Sequence, residues 1–281
     1  MRELPGLGIR RHRVHFRITD GRHVPMGQRM LYDRDLLLHG ERRNAVLDLP
    51  EVHRYGIDSY GDADYVSIYG LRPEQWYLRG IRLLGRTAVE CTRDALGSAI
   101  GQDVAAIAPN SAHAVVVDPF AGSGNTLYWL LRKLPGAQGL GFELDSGVFH
   151  LTQKNLSLLG LPIEVINLDY IAGFSQVRVA PGGLLVVFIA PPWGHALDPV
   201  RGLDLRRTEP PVTQIVDHLR HDFAQCRLLC AIQTYETIEP ESLAELQDRF
   251  EWSVLRIYNL NAPGQNHGIV LGTGGWKPTR G

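Results

Sequence analysis

Cysteine and lysine are scarce here, with three of each among 281 positions. Three thiols cannot build a disulfide framework, so a reducing compartment is expected, with the cytoplasm as the default. Long apolar runs are also missing. The longest clean one, Leu184 to Ala190, holds seven residues, against the roughly 20 needed to cross a bilayer. The start, Met1-Arg-Glu-Leu-Pro5, has no apolar core of the kind a secretory leader carries. Nor is there an excess of one charge: 29 basic against 30 acidic residues give −1, so no global basic field advertises a nucleic-acid partner. No His or Cys cluster has zinc spacing, and no metal is expected.

What is present is an ordinary globular composition, 44% apolar and 21% charged, too rich for disorder. Its texture divides the chain into three parts. Residues 1–60 are Arg-rich and irregular, with a strand-like alternation from Arg13 to Ile18, an Arg10–Arg13 basic cluster and a short apolar anchor at Leu36–Leu38. Residues 61–110 contain an apolar Ile81–Leu84 segment. A helical pattern follows from Thr87 to Ile100, with Val89, Leu96 and Ile100 on one face, making a helical cap. Residues 111–281 carry apolar strands alternating with amphipathic helices. Strands are expected at Ala114–Val117, Gly139–Glu143, Ile163–Ile166, Leu184–Ile189, Arg227–Gln233, Trp252–Tyr258 and Gly268–Leu271. Helices are expected at Asn125–Lys133, Gly147–Leu159, Thr213–Asp222 and Glu241–Arg249. Apolar strands spaced by helices imply a seven-stranded, mostly parallel sheet covered on both faces, a doubly wound α/β fold. The last two strands are close enough to pair as an antiparallel edge hairpin.

The segment Asp118-Pro-Phe-Ala-Gly-Ser-Gly-Asn-Thr126 lies where a buried strand meets a helix. Its glycines let the backbone turn tightly and approach a ligand, and the helix start supplies free N–H groups. Glu143, nineteen positions after Gly124, ends the next strand and suits a pair of ribose hydroxyls. A dinucleotide site wants a third glycine, yet position 127 is Leu, which fits a pyrophosphate poorly. Asp118 at the first strand end repels phosphate and suits an amine, and Asp169 after the third strand suits an adenine amino group. Three acids at three successive strand ends point to S-adenosylmethionine, a nucleoside with an amino acid arm and no phosphate. Around the glycine bend the candidate cofactor-binding residues are Asp118, Pro119, Phe120, Ala121, Gly122, Asn125 and Thr126. At the later strand ends they are Glu143, Leu144, Asp169, Tyr170 and Ala190.

A second motif, Ile189-Ala-Pro-Pro-Trp-Gly194, follows the most apolar strand. Pro191 and Pro192 stiffen the loop and lack N–H groups, leaving carbonyls to accept bonds, while Trp193 offers a flat face for a planar ring. His195, two positions on, suits either a general base or a hydrogen bond to a backbone carbonyl. The aromatics Tyr60, Tyr65, Tyr69, Trp76 and Tyr77 suit either a lid over the acceptor or the packing of the cap. Cys226 and Cys230 read as core residues, and Asn261–Asn266 as a hairpin turn.

Together, Asp118–Thr126, Gly141–Asp145, Leu168–Tyr170 and Phe188–Gly194 resemble a class I S-adenosylmethionine-dependent methyltransferase with a Rossmann-like fold. The likeness is in particular to the trimethylguanosine synthase family, the RNA cap guanine-N2 methyltransferases. It extends over roughly residues 60–275 and includes Leu203-Asp-Leu-Arg206; His195 and Ala196 stand where that family usually has glycine and proline. The resemblance implies that Glu143 binds ribose, Asp169 binds adenine, Asp118 and Gly122 line the methionine end, and Trp193 stacks on the acceptor base. The partner would then be a guanine-type nucleotide or RNA. The near-zero charge favours a different acceptor, a small molecule of specialised metabolism, or cyclisation of the cofactor's own aminobutyryl arm with release of methylthioadenosine. A non-catalytic RNA-binding module is the third reading, and the intact Gly122 and Gly124 argue against it.

Overall fold

The structure, a computed structural model, describes residues 31–108, 113–198 and 200–278. The Arg10–Arg13 cluster and the Arg13–Ile18 strand expected from sequence lie outside these residues. Among the described residues, five helices precede the sheet: α1 (Arg34–Leu38), α2 (Leu49–Tyr60), α3 (Pro73–Leu78), α4 (Gly85–Glu90) and α5 (Asp94–Ile107). Then come β1 (Val115–Asp118), α6 (Asn125–Lys133), β2 (Gln138–Phe142), α7 (Ser146–Leu158), β3 (Ile163–Ile166), α8 (Tyr170–Phe174) and β4 (Leu184–Ile189). The remainder is a small β5 (Leu197–Asp198) and β6 (Gly202–Leu203) hairpin, α9 (Val212–Asp222), β7 (Arg227–Tyr235), α10 (Pro240–Gln247), β8 (Trp252–Tyr258) and β9 (His267–Gly274).

The main sheet has seven strands in the order β3-β2-β1-β4-β7-β9-β8. The first five are parallel; β9 runs antiparallel to both β7 and β8, so β9 is interior and β8 forms the edge. This is the doubly wound α/β arrangement with a closing antiparallel pair that the apolar spacing implied. The order of strands reverses at β1, whose carboxyl end therefore faces a crevice between diverging connections, the usual ligand position in such sheets.

Burial explains why these runs became strands. All six residues of β4 are buried, and each such side chain contributes roughly 1.5–3 kcal/mol relative to exposure. One sheet face packs on α9 and α10 through Ile215, Val216, Leu219 and Leu246. The other packs on α5 and α6 through Leu96, Ile100, Val104, Leu127 and Leu130. A third apolar cluster unites Leu37, Leu47, Val52 and Tyr55 with Val66, Trp76, Tyr128 and Leu156, so residues on both sides of position 60 share one core.

Two local expectations differ from the structure. The helix anticipated from Thr87 to Ile100 is broken at Cys91–Arg93, because Thr92 turns inward to distant polar partners and Asp94 opens a new helix. Residues 31–60, expected to be irregular, contain α1 and α2. The second of these has a reciprocal cap in which Asp48 accepts from the Glu51 N–H and Glu51 accepts from the Asp48 N–H.

Candidate functional site

At the carboxyl end of β1 the chain turns through two left-handed glycines, Gly122 (φ +49°) and Gly124 (φ +73°), and enters α6. Any other residue is strained there. A Cβ on Gly122 would find no atom closer than 3.9 Å, so this bend borders open space, whereas one on Gly124 would meet Thr152 and Leu156 of α7. The bend is held by Glu143, whose carboxylate accepts from the Gly122 N–H (3.0 Å) and the Asp145 N–H (2.8 Å). Thr152 donates to the Gly122 carbonyl at 2.6 Å. Gly141 in β2 completes the close approach, since a Cβ there would lie 2.9 Å from the Ala121 side chain.

Asp118 forms the floor. It is 1% exposed and accepts from the Phe120 N–H at 3.0 Å. Burial pushes its carboxyl up to about 7, against the pull of the Phe120 N–H, and the charge of Glu143 adds to the rise. Glu143 is raised as well, by burial, with its two N–H bonds opposing. Burial alone would raise Asp145 too, but the Val148 N–H and the paired Arg86 guanidinium bring it below the ordinary carboxylate range.

The other sequence candidates take up several positions. Phe120 and Tyr170 face each other with ring centroids 5.6 Å apart, beside the bend. Asp169 caps α8 by accepting from the Ile171 N–H, and Leu144 is 70% exposed at the rim. Pro119, Ala121 and Thr126 are buried in or beside the bend, and Ala190 and Pro191 continue β4. Asn125 is fully buried, and its side chain is taken up by the protein: it accepts from the Tyr69 N–H and donates to the Thr92 carbonyl and Asp94. It thereby ties the cap residues to the start of α6. Tyr69 reinforces this tie with a hydroxyl bond to the Ser123 carbonyl.

On the β4 side, Trp193 is half-buried and lies against His267 (centroids 5.4 Å, 31° between planes) and the edge of Tyr235 (6.4 Å). Pro192 beside it is exposed. His195 does not join this group; its Nε2 lies 3.7 Å from Glu209, and these side chains are 60% and 80% exposed. The segment Leu203–Arg206 is structural. Arg206 binds Asp204 and Glu239, clasping β6 to the start of α10.

Sequence reasoning missed Thr92, Gln233 and His267, which lie behind Trp193. Thr92 donates to Gln233 Oε1 at 2.9 Å, and Gln233 Nε2 meets His267 Nδ1 at 3.1 Å. The one available signal was a glutamine ending the apolar run of β7. Among the described residues no cluster of His, Cys, Asp and Glu is arranged to hold a metal ion, and no helix is long and apolar enough to cross a membrane.

No protein-family model matches the sequence, and no curated protein matches it. Solved structures do. The N-terminal domain of human METTL16, solved in complex with SAH, is 14% identical over 63% of this chain and 68% of that one, with a TM-score of 0.41. TrmN from Thermus thermophilus is 18% identical over 66% and 51%, with a TM-score of 0.43. The mitomycin 7-O-methyltransferase MmcR is 16% identical over 64% and 55%, with a TM-score of 0.38. The chain thus spans about half the length of the last two. At these identities the likeness concerns the fold and nothing further.

Proposed function

We propose that the chain is an enzyme that binds S-adenosylmethionine at the β1–β2 crevice and directs its methyl group to a nitrogen of a planar, guanine-type acceptor seated against Trp193. The observation that carries this reading is the glycine bend held open by Glu143 over the buried carboxyl of Asp118. The bend has room where a side chain would project and acids in place of phosphate-binding glycines, which fits a sulfonium nucleoside.

In this reading Asp118 and the Gly122 backbone hold the amino acid arm, Glu143 the ribose, and Asp169 with Leu144 the adenine. The bound cofactor supplies an activated methyl group on a positive sulfur. Everything else is positioning, which for aligned reactants is worth about 7–11 kcal/mol. Phe120 and Tyr170 present ring faces near the β1 end, where a cation is favoured by roughly 0.5–2 kcal/mol. The Ala190 and Pro191 carbonyls orient an exocyclic amine, and Trp193 fixes the plane of the ring. A neutral amine attacks with its own lone pair and loses its proton afterwards to water or a carboxylate.

The balanced charge of the chain favours a second reading, a small-molecule acceptor or cyclisation of the cofactor itself. Incubating the full chain with labelled cofactor and guanosine separates these. Adenosylhomocysteine with methylated guanosine is the expected outcome, methylthioadenosine marks cyclisation, and no heat on calorimetric titration with the cofactor overturns the proposal.

A further inference from the structure

Behind Trp193 runs a polar chain that crosses three distant parts of the sequence. Thr92 sits in the break between α4 and α5, Gln233 near the end of β7, and His267 at the start of β9. The break is fixed from its other side, because the Thr92 carbonyl accepts from buried Asn125 at 2.7 Å. Gln233 is 7% exposed and Thr92 8% exposed, so neither exchanges its partner freely with water. The turn leading into β9 is braced as well. The Asn266 side chain accepts from the Asn261 N–H, and its carbonyl accepts from the Glu236 N–H.

The direction of this chain follows from its donors. The Thr92 hydroxyl donates to Gln233 Oε1, which leaves the amide nitrogen of Gln233 facing His267 Nδ1. An amide nitrogen only donates, so Nδ1 accepts and the ring proton sits on Nε2. Among the described residues Nε2 has no protein partner, and it is not a sealed orphan atom either. The ring itself lies beside Trp193, with centroids 5.4 Å apart and 31° between the planes.

From this geometry we infer that His267 is a specificity-determining residue: a neutral imidazole whose Nε2–H donates to a carbonyl oxygen on the edge of the acceptor ring held against Trp193. The inference rests on the acceptor reading above. It adds to it that the acceptor presents a carbonyl beside its amine, as the 2-amino-6-oxo edge of guanine does. A histidine in this place would ordinarily be taken for the base, but here the protonated nitrogen is the one available. Its surroundings act in the same direction. Burial, then the charges of Arg93 and Arg34, lower the ring to about 4, with only Glu236 opposing, so it stays neutral across the working range. Arg93 is itself fixed, its guanidinium stacked 3.6 Å over the ring of Tyr65.

Two measurements on the full chain test this. Long-range nitrogen–proton correlation spectra of the histidine rings, with His267→Phe used to assign the signals, should show His267 as the neutral Nε2–H form at pH 7. Thr92→Val, which frees the Gln233 amide, should turn that signal into a mixture of tautomers. Calorimetric titration should show His267→Phe weakening guanosine by about tenfold while leaving 2-aminopurine riboside, which keeps the amine and lacks the carbonyl, within about twofold. A ring protonated on Nδ1 or charged at pH 7, or a guanosine preference that His267→Phe leaves intact, overturns the inference. If guanosine does not bind the unaltered chain, the carbonyl assignment falls together with the acceptor reading. The tautomer spectrum then tells that failure apart from an error in the His267 geometry.

Discussion

On the β1–β2 side of the sheet, the acid and the glycine it holds are 21 residues apart, and their contact runs from a side chain to a backbone N–H. On the β4–β7–β9 side, Thr92 and Gln233 are 141 residues apart and Gln233 and His267 another 34, joined by side chains alone. The first half is a local loop that any sheet of this winding can carry. The second exists only because the cap residues, β7 and β9 meet. On the proposed reading, altering the acceptor side should spare cofactor binding, whereas damage to the glycine bend should remove both.

The largest effect should come from Glu143→Ala. It leaves the N–H groups of Gly122 and Asp145 without their acceptor, at about 1–3 kcal/mol of stability, and loosens the bend. Cofactor affinity should fall by roughly a hundredfold on calorimetric titration, with a matching loss of midpoint in urea. Retention of wild-type affinity would remove the basis of the comparison. Trp193→Ala is the converse variant. Turnover with guanosine should drop by about ten- to a hundredfold, the worth of one base stacked on one aromatic ring, while cofactor affinity changes by less than about twofold.

Next in size is a pH effect that belongs to the cofactor half. The Asp118 carboxyl, raised to about 7, keeps its proton below that pH, and on the proposed reading only its ionised form attracts the amine of the cofactor. Affinity should therefore rise by roughly tenfold per unit as pH climbs towards 7 and level off above it, and Asp118→Asn should flatten the profile. The sign for folding is opposite. Because the folded value lies above the ordinary 3.8, stability is greatest at low pH for this group and declines as pH rises from about 4 to 7. The smallest effect is expected for His195→Ala. An exposed ring 3.7 Å from an exposed Glu209 belongs to neither half, so turnover should change by less than about twofold in a steady-state assay.

The same division governs what could be read without coordinates. Strands β3, β4 and β8 appear at their expected bounds, and the others shift by a few residues; for β4, burial on both faces leaves a continuous apolar run. The glycine bend was legible since a left-handed turn demands its glycines, and Glu143 since its spacing from them follows from one helix and one strand. The helix break at Thr92 was not, because the residues around it support a helix and tertiary hydrogen bonds override them. Asn125 read as a ligand contact in sequence; in the fold its side chain is an internal tie between Tyr69, Thr92 and Asp94.

By itself, then, the order of residues determined the sheet, its winding and the loop at β1, since each depends on hydrophobic period, turn chemistry and short spacing. Tertiary packing alone decided which polar groups stand beside Trp193 and which ring nitrogen of His267 carries the proton. Those depend on hydrogen bonds between segments 141 and 34 residues apart, and no local pattern encodes such a meeting.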